Sequence, residues 1–275
     1  MNCIQNNNEY YFSGKILCLV TGASRGFGRA IAKLSVAKDG ILKYANEGSQ
    51  ILLLSRNKND LEKTESIMAE SGSDVSRFSI NAVSVDLADE CKFQKDFTNL
   101  LSSITSSFDK ILLFNNAGSV GDISRDILDY QWEIFEYKRY FSLNVVSPIF
   151  MINSIIKRFS DSKVTLVQTS SLCAVESMPY MSLYCTGKSS MDMYLKCVAV
   201  DHKNVRTLNY APGPLDTDMG KEMKEKNYSE DTRKFFAEMF EKGTIINPNV
   251  SAAKLMKILQ NMSFKDGDHI DFYDV

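Results

Sequence analysis

Several features that define other protein classes are scarce or missing in this chain of 275 residues. Only two histidines occur, His202 and His269, and their separation argues against a zinc site or a histidine-based triad. We therefore predict no metal site and expect each histidine to be a surface or capping residue. The six cysteines form no Cys-x-x-Cys pair, and residues 1–15, MNCIQNNNEYYFSGK, lack the apolar core of a secretory signal. Both absences favour reduced thiols and a cytoplasmic location.

Charge and hydropathy also exclude classes of partner. The net charge is −2, and no basic stretch is long enough to follow a phosphate backbone, so we expect no nucleic-acid binding. No apolar run approaches the length that crosses a bilayer, so we expect no membrane partner. What the composition does provide is 44% hydrophobic and 24% charged residues, which suits one well-buried globular domain or at most two.

Short apolar runs alternate with segments of helical spacing over most of the chain. The runs are KILCLVTG, SQILLLSR, NAVSVDL, KILLFNNAG, SKVTLVQTSS and NVRTLNYAPG, and HIDFY at 269–273 could add an edge strand. Amphipathic segments lie at 28–46, 59–71, 91–107 and 184–201. Because the runs are rich in Val, Ile and Leu with little alternation, they predict strands covered on both faces, and hence an α/β fold with a doubly wound parallel sheet.

No linker or internal repeat divides the chain. We predict a flexible N-terminal extension at 1–14 and a single domain at 15–275. The segment 216–243 is charged, rich in Met and Phe, and follows Pro212 and Pro214. Two interpretations of it stay open, a helical insertion over the site and a solvated helical excursion.

The most informative pattern is a tyrosine and a lysine four residues apart in SLYCTGKSSMDM, with a serine thirteen residues earlier. Four residues is about one helical turn, so Tyr184 and Lys188 should share a helix face. An ammonium beside a phenol is expected to lower the pKa of the tyrosine, which could then pass a proton to a carbonyl oxygen. Ser171 would add a hydroxyl aimed at the same oxygen. The set predicts a carbonyl-reducing or alcohol-oxidising site, although Tyr11 and Lys15 repeat the spacing by chance.

A glycine-rich turn follows the first predicted strand. Strand, glycine turn and helix is the context in which a pyrophosphate binds to amides at a helix N-terminus. The spacing here is Gly-x-x-x-Gly-x-Gly. The turn contains Gly22, Ala23, Ser24, Arg25, Gly26, Phe27 and Gly28.

The end of the second strand indicates which dinucleotide binds. An NAD-selective site usually has an acid there, but this chain has Arg56 followed by Asn57, and Arg25 lies in the glycine turn. Two guanidinium groups can hold the additional phosphate of NADP. We therefore predict NADPH rather than NADH; the simpler alternative is that Arg56 is a solvent-exposed strand-end residue.

Other strand ends contribute further candidates. Asp86 and Leu87 end the third predicted strand, at a position suited to the adenine edge. Small residues after the fourth strand let the backbone pass close to the cofactor; they are Asn116, Ala117 and Gly118. Asn144 could hold a water or a helix carbonyl that continues a proton path from Lys188, or could be an ordinary buried helix amide.

Together these residues resemble the short-chain dehydrogenase/reductase family. The motifs are Thr-Gly-x-x-x-Gly-x-Gly at 21–28, Asn-Asn-Ala-Gly at 115–118, Asn144, Ser171, Tyr-x-x-x-Lys at 184–188 and Pro-Gly at 212–213. The resemblance implies a Rossmann-type domain, a nicotinamide cofactor and a homodimer through the segments 130–159 and 184–201. It also implies that Ser171 orients the carbonyl, Tyr184 donates the proton and Lys188 binds the nicotinamide ribose. Further cofactor contacts that it implies are Leu215, Asp216, Thr217, Asp218 and Met219.

Within that family the chain is similar to the sepiapterin reductases. The similarity lies in TGASRGFGRA, NNAGSVGDIS, SSLCA, LYCTGK, NYAPGPLDTDM and DGDHIDFYD. It implies NADPH-dependent reduction of pterin side-chain carbonyls (sepiapterin to dihydrobiopterin, and 6-pyruvoyl-tetrahydropterin to tetrahydrobiopterin) in tetrahydrobiopterin synthesis. Asp271 would anchor the pterin ring, because a carboxylate can accept two parallel N–H bonds from the pyrimidinone edge. Leu172 and Gly213 would line the substrate pocket.

Two other functions stay open at this stage. One is a broad carbonyl or diketone reductase of the same family. The other is a protein that binds NADP as a sensor without turnover, although the complete set of Ser171, Tyr184 and Lys188 argues against it.

Overall fold

The predicted strands form one parallel sheet. A computed structural model describes residues 11–70 and 75–274 of the chain. The strands are β1 (Ile16–Thr21), β2 (Ser49–Ser55), β3 (Phe78–Ser84), β4 (Lys110–Asn115), β5 (Lys163–Thr169), β6 (Val205–Ala211) and β7 (Asp268–Asp271). Their order across the sheet is β3-β2-β1-β4-β5-β6-β7, and all neighbouring pairs are parallel. The predicted fold class, a doubly wound parallel sheet, is confirmed.

Helices cover both faces of this sheet. They are α1 (Gly26–Ser35), α2 (Lys58–Glu70), α3 (Glu90–Ser103), α4 (Ile134–Phe141), α5 (Ser147–Arg158), α6 (Ser182–Asp201), α7 (Asp218–Lys226), α8 (Glu230–Glu241) and α9 (Pro248–Asn261). A π-helical turn, Ser142–Val146, joins α4 to α5. Among the described residues, none of these helices has the length and apolar character needed to cross a membrane.

Continuous apolar runs in the central strands create two cores. Every residue of β1 is buried, and its side chains alternate between the two faces of the sheet. On one face, side chains of β1, β2 and β6 pack with α1 and α9. On the other face, side chains of β1, β4 and β5 pack with α3, α5 and α6. Burial on both faces leaves the carboxyl edge of the sheet as the place where loops can carry polar groups.

Some boundaries differ from the prediction for identifiable reasons. The first helix ends at Ser35 instead of continuing to residue 46, because the chain turns back at Gly40, whose position leaves no room for a side chain beside the Leu34 and Ser35 carbonyls. The third strand ends at Ser84, so Asp86 and Leu87 lie in the loop after it. These shifts move side chains along the sheet edge without changing the topology.

The structure describes only part of the predicted N-terminal extension at 1–14. Its first ten residues lie outside the described residues. From residue 11 onward the chain contacts the domain: Phe12 is buried in the core, and Gly14 forms a parallel bridge with Ala45. Packing therefore begins before the predicted boundary at residue 15.

Helices α7 and α8 lie over the carboxyl edge of the sheet. Met219 and Met223 of α7 and Phe236 of α8 belong to an apolar cluster that also contains Tyr184. Of the two interpretations of the segment 216–243, the structure supports the helical insertion that covers the site.

Candidate active site

The loops at the carboxyl edge enclose a cleft of about 1430 Å³. It brings together nearly all the residues that the sequence predicts for a site. Its wall includes Gly22, Ser24, Arg25, Gly26, Phe27, Gly28, Arg56, Asn57, Asp86, Leu87, Asn116, Ala117, Gly118, Ser171, Leu172, Tyr184, Lys188, Gly213, Leu215, Asp216, Thr217, Asp218, Met219 and Asp271. Two predicted residues do not line it. Ala23 is fully buried in the core, and Asn144 lies beneath the wall next to Gly118.

The glycine turn after β1 forms a concave backbone surface at the start of α1. Gly22 and Gly26 have φ of +66° and +54°, in the region that favours glycine. A side chain at Gly28 would place Cβ 2.2 Å from the Gly22 carbonyl oxygen, so only glycine allows this close approach. No acidic residue occupies the first turn of α1, and Arg25 at its N-cap makes no capping side-chain bond. The N-terminal amides of α1 are therefore suited to an anion.

The ends of β1 and β4 are joined at this turn. The Thr21 hydroxyl accepts hydrogen bonds from the backbone amides of Asn116 and Ala117, both at 2.9 Å. The Asn116 side chain donates to the Thr21 carbonyl at 3.0 Å. A side chain on Gly118 would lie 3.0 Å from Asn144 Oδ1 and 4.0 Å from Lys188 Nζ. The small residues after β4 therefore keep this part of the cleft open beside the lysine.

Ser171 and Tyr184 come together at the centre of the cleft. Ser171 follows β5 as the N-cap of a short 3₁₀ turn, and its Oγ accepts from the Cys173 amide at 3.2 Å. Since that bond uses Oγ as the acceptor, the hydroxyl hydrogen remains available to donate. Tyr184, in the first turn of α6, is 8% exposed and hydrogen-bonds with Ser171.

Lys188 lies one turn after Tyr184 on the same face of α6, as the spacing predicts. It is also 8% exposed. Its Nζ donates to the Thr169 carbonyl oxygen at 2.5 Å and lies 5.5 Å from the centre of the Tyr184 ring. The ammonium is thus held between the end of β5 and the tyrosine.

Burial dominates the protonation of both side chains. It raises the pKa of Tyr184, to which the nearby Cys173 thiol adds, while the hydrogen bond from Ser171 lowers it. Burial lowers the pKa of Lys188 to about 8, against the opposing effect of Asp192. The net pKa of Tyr184 is therefore raised, where the sequence pattern predicts a lowered one, because desolvation of the phenol outweighs the hydrogen bond from Ser171. At neutral pH Tyr184 carries its proton.

Asn144 lies in the π-helical turn between α4 and α5. Its side-chain amide donates to the Tyr140 carbonyl at 3.0 Å and accepts from the Ser119 amide at 3.0 Å. A π turn places one extra residue in the helix and is frequent at functional sites. The turn holds the Asn144 amide between the loop after β4 and helix α6, near Lys188.

The predicted phosphate-binding arginines both lie on the cleft wall and are exposed. Arg25 forms an ion pair with Asp218 at the start of α7, which crosses the mouth of the cleft. Arg56 follows β2 directly, as predicted. Asn57 caps α2: its Oδ1 accepts from the Asp60 amide at 3.2 Å.

Asp86 and Leu87 border the cleft after β3. Asp86 accepts from the Ala88 amide at 3.0 Å and pairs with Arg139 at 3.6 Å. Leu87 is buried, and its carbonyl accepts from the Ser147 hydroxyl at 2.7 Å. Asp86 is therefore held by α4, and Leu87 by the start of α5.

The opposite end of the cleft combines an apolar wall with one carboxylate. Leu172 is 40% exposed, and Gly213 has φ of +74° with no room for a side chain beside Ile246. Asp271, the last residue of β7, faces the cleft, and its Oδ1 accepts from the Tyr273 amide at 3.0 Å. Several apolar side chains on the wall were not named individually from the sequence, although Met223, Phe235 and Phe236 belong to the segment 216–243 that one interpretation placed over the site. The others are Val175, Met178 and Met181.

His269 is the main correction to the sequence analysis. It is not a surface or capping residue: its side chain is 14% exposed and pairs with the buried Asp192. Two signals could have indicated this. His269 and Asp271 are two residues apart in a strand and so share a face, and Asp192 is one helical turn after Lys188. His202, by contrast, is exposed at the C-terminal end of α6, as expected.

Comparison with known proteins is consistent with this geometry. A family model described as short chain dehydrogenase matches residues 17–228. The chain is 36% identical to the sepiapterin reductase of Bos taurus, over 95% of this chain and 96% of the relative. It is 35% identical to the sepiapterin reductase of Xenopus tropicalis, over 95% and 97%. Among solved structures, the KRED1-Pglu enzyme superposes with a TM-score of 0.73 at 21% identity, covering 93% of this chain and 100% of that one, which shows the fold.

The lowered pKa of Lys188 predicts a pH-dependent stability. The pKa of Lys188 is about 8 in the folded chain and 10.5 ordinarily. At a pH between these two values, Lys188 is protonated in the unfolded chain and deprotonated in the folded chain. Stability therefore rises with pH in this window relative to a Lys188→Met variant, and the difference is constant below pH 7. Urea unfolding of both proteins from pH 6 to 10 measures it. A difference that stays flat from pH 8 to 10 would contradict the assignment.

Proposed function

The chain belongs to the short-chain dehydrogenase family and is an oxidoreductase, and we propose that it reduces the side-chain carbonyls of pterins with NADPH. The observation that carries the proposal is the Asp271 carboxylate, which faces the same cleft as Ser171 and Tyr184. The similarity to sepiapterin reductases supports it. Because the protein is an oxidoreductase, the hypothesis of a sensor without turnover is not retained.

The residues of the glycine turn fit a dinucleotide cofactor. The concave backbone at Gly22, Gly26 and Gly28 and the uncapped start of α1 suit a pyrophosphate. When bound, NADPH supplies the hydride. The residues that would hold it are Gly22, Ala23 through its backbone, Ser24, Arg25, Gly26, Phe27, Gly28, Arg56, Asn57, Asp86, Leu87, Asn116, Ala117, Gly118, Tyr184, Lys188, Leu215, Asp216, Thr217, Asp218 and Met219.

The protonation states of the catalytic residues suit carbonyl reduction. Tyr184 carries its proton at neutral pH, and burial raises its pKa further, so the phenol is available to donate that proton to the substrate oxygen. Ser171 can donate its hydroxyl hydrogen to the same oxygen, which orients the carbonyl. Lys188, with a pKa of about 8, can exchange a proton near neutrality and return one to Tyr184. Asn144, beside Lys188 and Gly118, continues this path away from the cleft.

Arg25 and Arg56 favour the cofactor with the additional phosphate. Both guanidinium groups are exposed on the cleft wall, and the position directly after β2 is Arg56 and not an acid that would bind ribose hydroxyls. Arg25 is paired with Asp218, but that pair is about two-thirds exposed on the Arg25 side and is worth only about 0–1 kcal/mol. A phosphate can therefore displace Asp218 at little cost.

The substrate end of the cleft fits a flat, polar-edged ring. Leu172, Gly213 and the methionines of the wall contact apolar faces, while Asp271 can accept two parallel N–H bonds from a 2-amino pyrimidinone edge. A small diketone has no such edge. The carboxylate therefore separates pterin reduction from the alternative, a broad carbonyl or diketone reductase.

A homodimer and a cytoplasmic location complete the proposal. The helices expected at the dimer interface carry exposed apolar side chains, among them Ile134 and Phe135 of α4 and Met193 and Val200 of α6. Burial of such side chains against a second copy would remove apolar surface from water. The scattered cysteines support a reducing compartment.

Replacement of the proton donor should abolish turnover. Tyr184→Phe removes the phenolic proton and is expected to lower kcat about 10²–10⁴-fold, while NADPH affinity measured by fluorescence titration stays nearly unchanged. Tyr11→Phe is the matched control, because Tyr11 heads the second, accidental Tyr-x-x-x-Lys and lies away from the cleft. Retained turnover in Tyr184→Phe would refute the role.

The substrate class is tested at Asp271. Asp271→Asn keeps an oxygen for the Tyr273 amide but replaces a charged acceptor by a group that also carries two donors. We expect kcat/KM for sepiapterin to fall about 10²-fold, the equivalent of about 2.7 kcal/mol, with kcat/KM for diacetyl almost unchanged. NADPH oxidation with each substrate measures both. Equal losses on the two substrates, or a wild-type enzyme that reduces only the diketone, would favour the alternative function.

Cofactor choice is tested at Arg56. In Arg56→Asp, repulsion of the ribose phosphate should raise KM for NADPH at least about tenfold, and the new acid can bind the ribose hydroxyls of NADH. Steady-state kinetics with both cofactors gives the ratio. Lys58→Asp, one helical position beyond Asn57 and outside the cleft wall, controls for a general change in charge. Equal use of both cofactors by wild type, unaffected by Arg56→Asp, would overturn the assignment.

A further inference from the structure

A buried hydrogen-bonded network lies directly behind the catalytic residues. The Asp192 carboxylate accepts from Ser170 Oγ at 2.6 Å and from His269 Nδ1 at 2.6 Å. Ser170 Oγ and His269 Nδ1 are themselves 3.5 Å apart. The Asp192 side chain is 4% exposed, so these two contacts satisfy a carboxylate that is largely removed from water.

Ser170 and His269 border the cleft themselves, while Asp192 lies behind its wall. Ser170 precedes Ser171 at the end of β5, and Asp192 follows Lys188 by one turn of α6. His269 precedes Asp271 by two residues in β7, and the two side chains share one face of that strand. The network therefore connects the strand that carries Asp271 to the two elements that carry Ser171 and Lys188.

The strand β7 needs such a connection. It has four residues, lies at the edge of the sheet and pairs only with β6. A short edge strand with one partner is held weakly by its backbone bonds alone. Asn209 of β6 strengthens the same junction, because its side-chain amide approaches both the Asp192 carbonyl and the Gly267 carbonyl at 3.4 Å.

The two ring nitrogens of His269 have different surroundings. An ionised carboxylate only accepts hydrogen bonds, so Nδ1 carries the hydrogen that Asp192 accepts. Among the described residues Nε2 has no protein partner, although it is buried. The contact that anchors β7 therefore depends on a donor at the Nδ1 position.

We propose that His269 is a positioning residue for substrate recognition: through Asp192 it fixes β7, and thereby the Asp271 carboxylate, relative to Ser171 and Tyr184. The proposal rests on pterin reduction as the function of the cleft. Without the His269–Asp192 contact, β7 loses its side-chain attachment to α6, and Asp271 no longer lies at a fixed distance from the reacting carbonyl. Binding of a substrate that hydrogen-bonds to Asp271 should therefore weaken, while binding of a substrate that makes no contact with Asp271 should not change.

Three substitutions at His269 test this in the full-length protein. His269→Phe removes the donor, His269→Asn restores an N–H at the position of Nδ1, and His269→Gln places its N–H at the position of Nε2. We expect KM for sepiapterin to rise about tenfold or more in the Phe and Gln variants, and to return to within about threefold of wild type in the Asn variant. The kcat values for sepiapterin, both constants for diacetyl and NADPH affinity should change less than about threefold. His202→Phe, the same change at an exposed position, should have no effect.

A double-mutant cycle with Asp271 gives a second, independent readout. Because His269 acts through Asp271, adding His269→Phe to Asp271→Asn should cause little further loss on sepiapterin. If His269→Phe does not fold, as judged by circular dichroism, His269→Gln serves in the cycle.

Different outcomes separate the two proposals. A wild-type enzyme that does not reduce sepiapterin overturns the proposed function, and with it this inference. If the wild-type enzyme reduces sepiapterin, three results overturn only the positioning role. They are equal losses of sepiapterin and diacetyl reduction in the variants, no recovery in His269→Asn, and additive losses in the double-mutant cycle. A lowered melting temperature with unchanged KM would assign His269 to stability alone.

Discussion

Parallel strand pairing is the constraint on which the rest of this structure depends. The seven strands in the described part of the chain run in one direction, so their carboxyl ends and the loops that follow meet along one edge. Helices cover both faces of the sheet with apolar side chains, and the few polar groups buried there include hydrogen-bonded pairs such as Asn115 and Gln168. The glycine turn after β1, the small residues after β4 and the serines after β5 are therefore brought to one cleft by topology, although they are far apart in sequence.

Desolvation of Tyr184 and Lys188 is the second constraint on this structure, because it sets the pKa values of the two side chains in the cleft. Helices α7 and α8 and the turn after β5 cover Tyr184 with methionine, phenylalanine and cysteine side chains. Removal from water raises the pKa of the Tyr184 phenol and lowers that of the Lys188 ammonium. In the proposed mechanism Tyr184 is the proton donor and Lys188 returns a proton to it.

The substrate end of the cleft is built on the weakest part of the sheet. Strand β7 is short and pairs on one side only, yet it carries the carboxylate on which substrate recognition is proposed to depend. Side-chain bonds compensate for the missing backbone partner: His269 to Asp192 on one face, and the Lys254 ammonium to the Phe272 carbonyl at 2.9 Å just beyond the strand. An edge strand held in this way can present a side chain at a defined position without a further strand outside it.

The sequence by itself determined the parallel α/β fold, the glycine turn and the spacing of Tyr184 and Lys188, because each of these depends on local periodicity or on neighbouring residues. It also distinguished the pair at 184 and 188 from the copy at Tyr11 and Lys15, since only the former follows a strand with Ser171 at its end. What only the tertiary structure decided depends on burial and on contacts between distant segments. The direction of the Tyr184 pKa, the pairing of Arg25 with Asp218 and the burial of His269 against Asp192 each require two elements far apart in the chain to be brought together. No local pattern contains that information, because desolvation and pairing are properties of the packed neighbourhood and not of the residue.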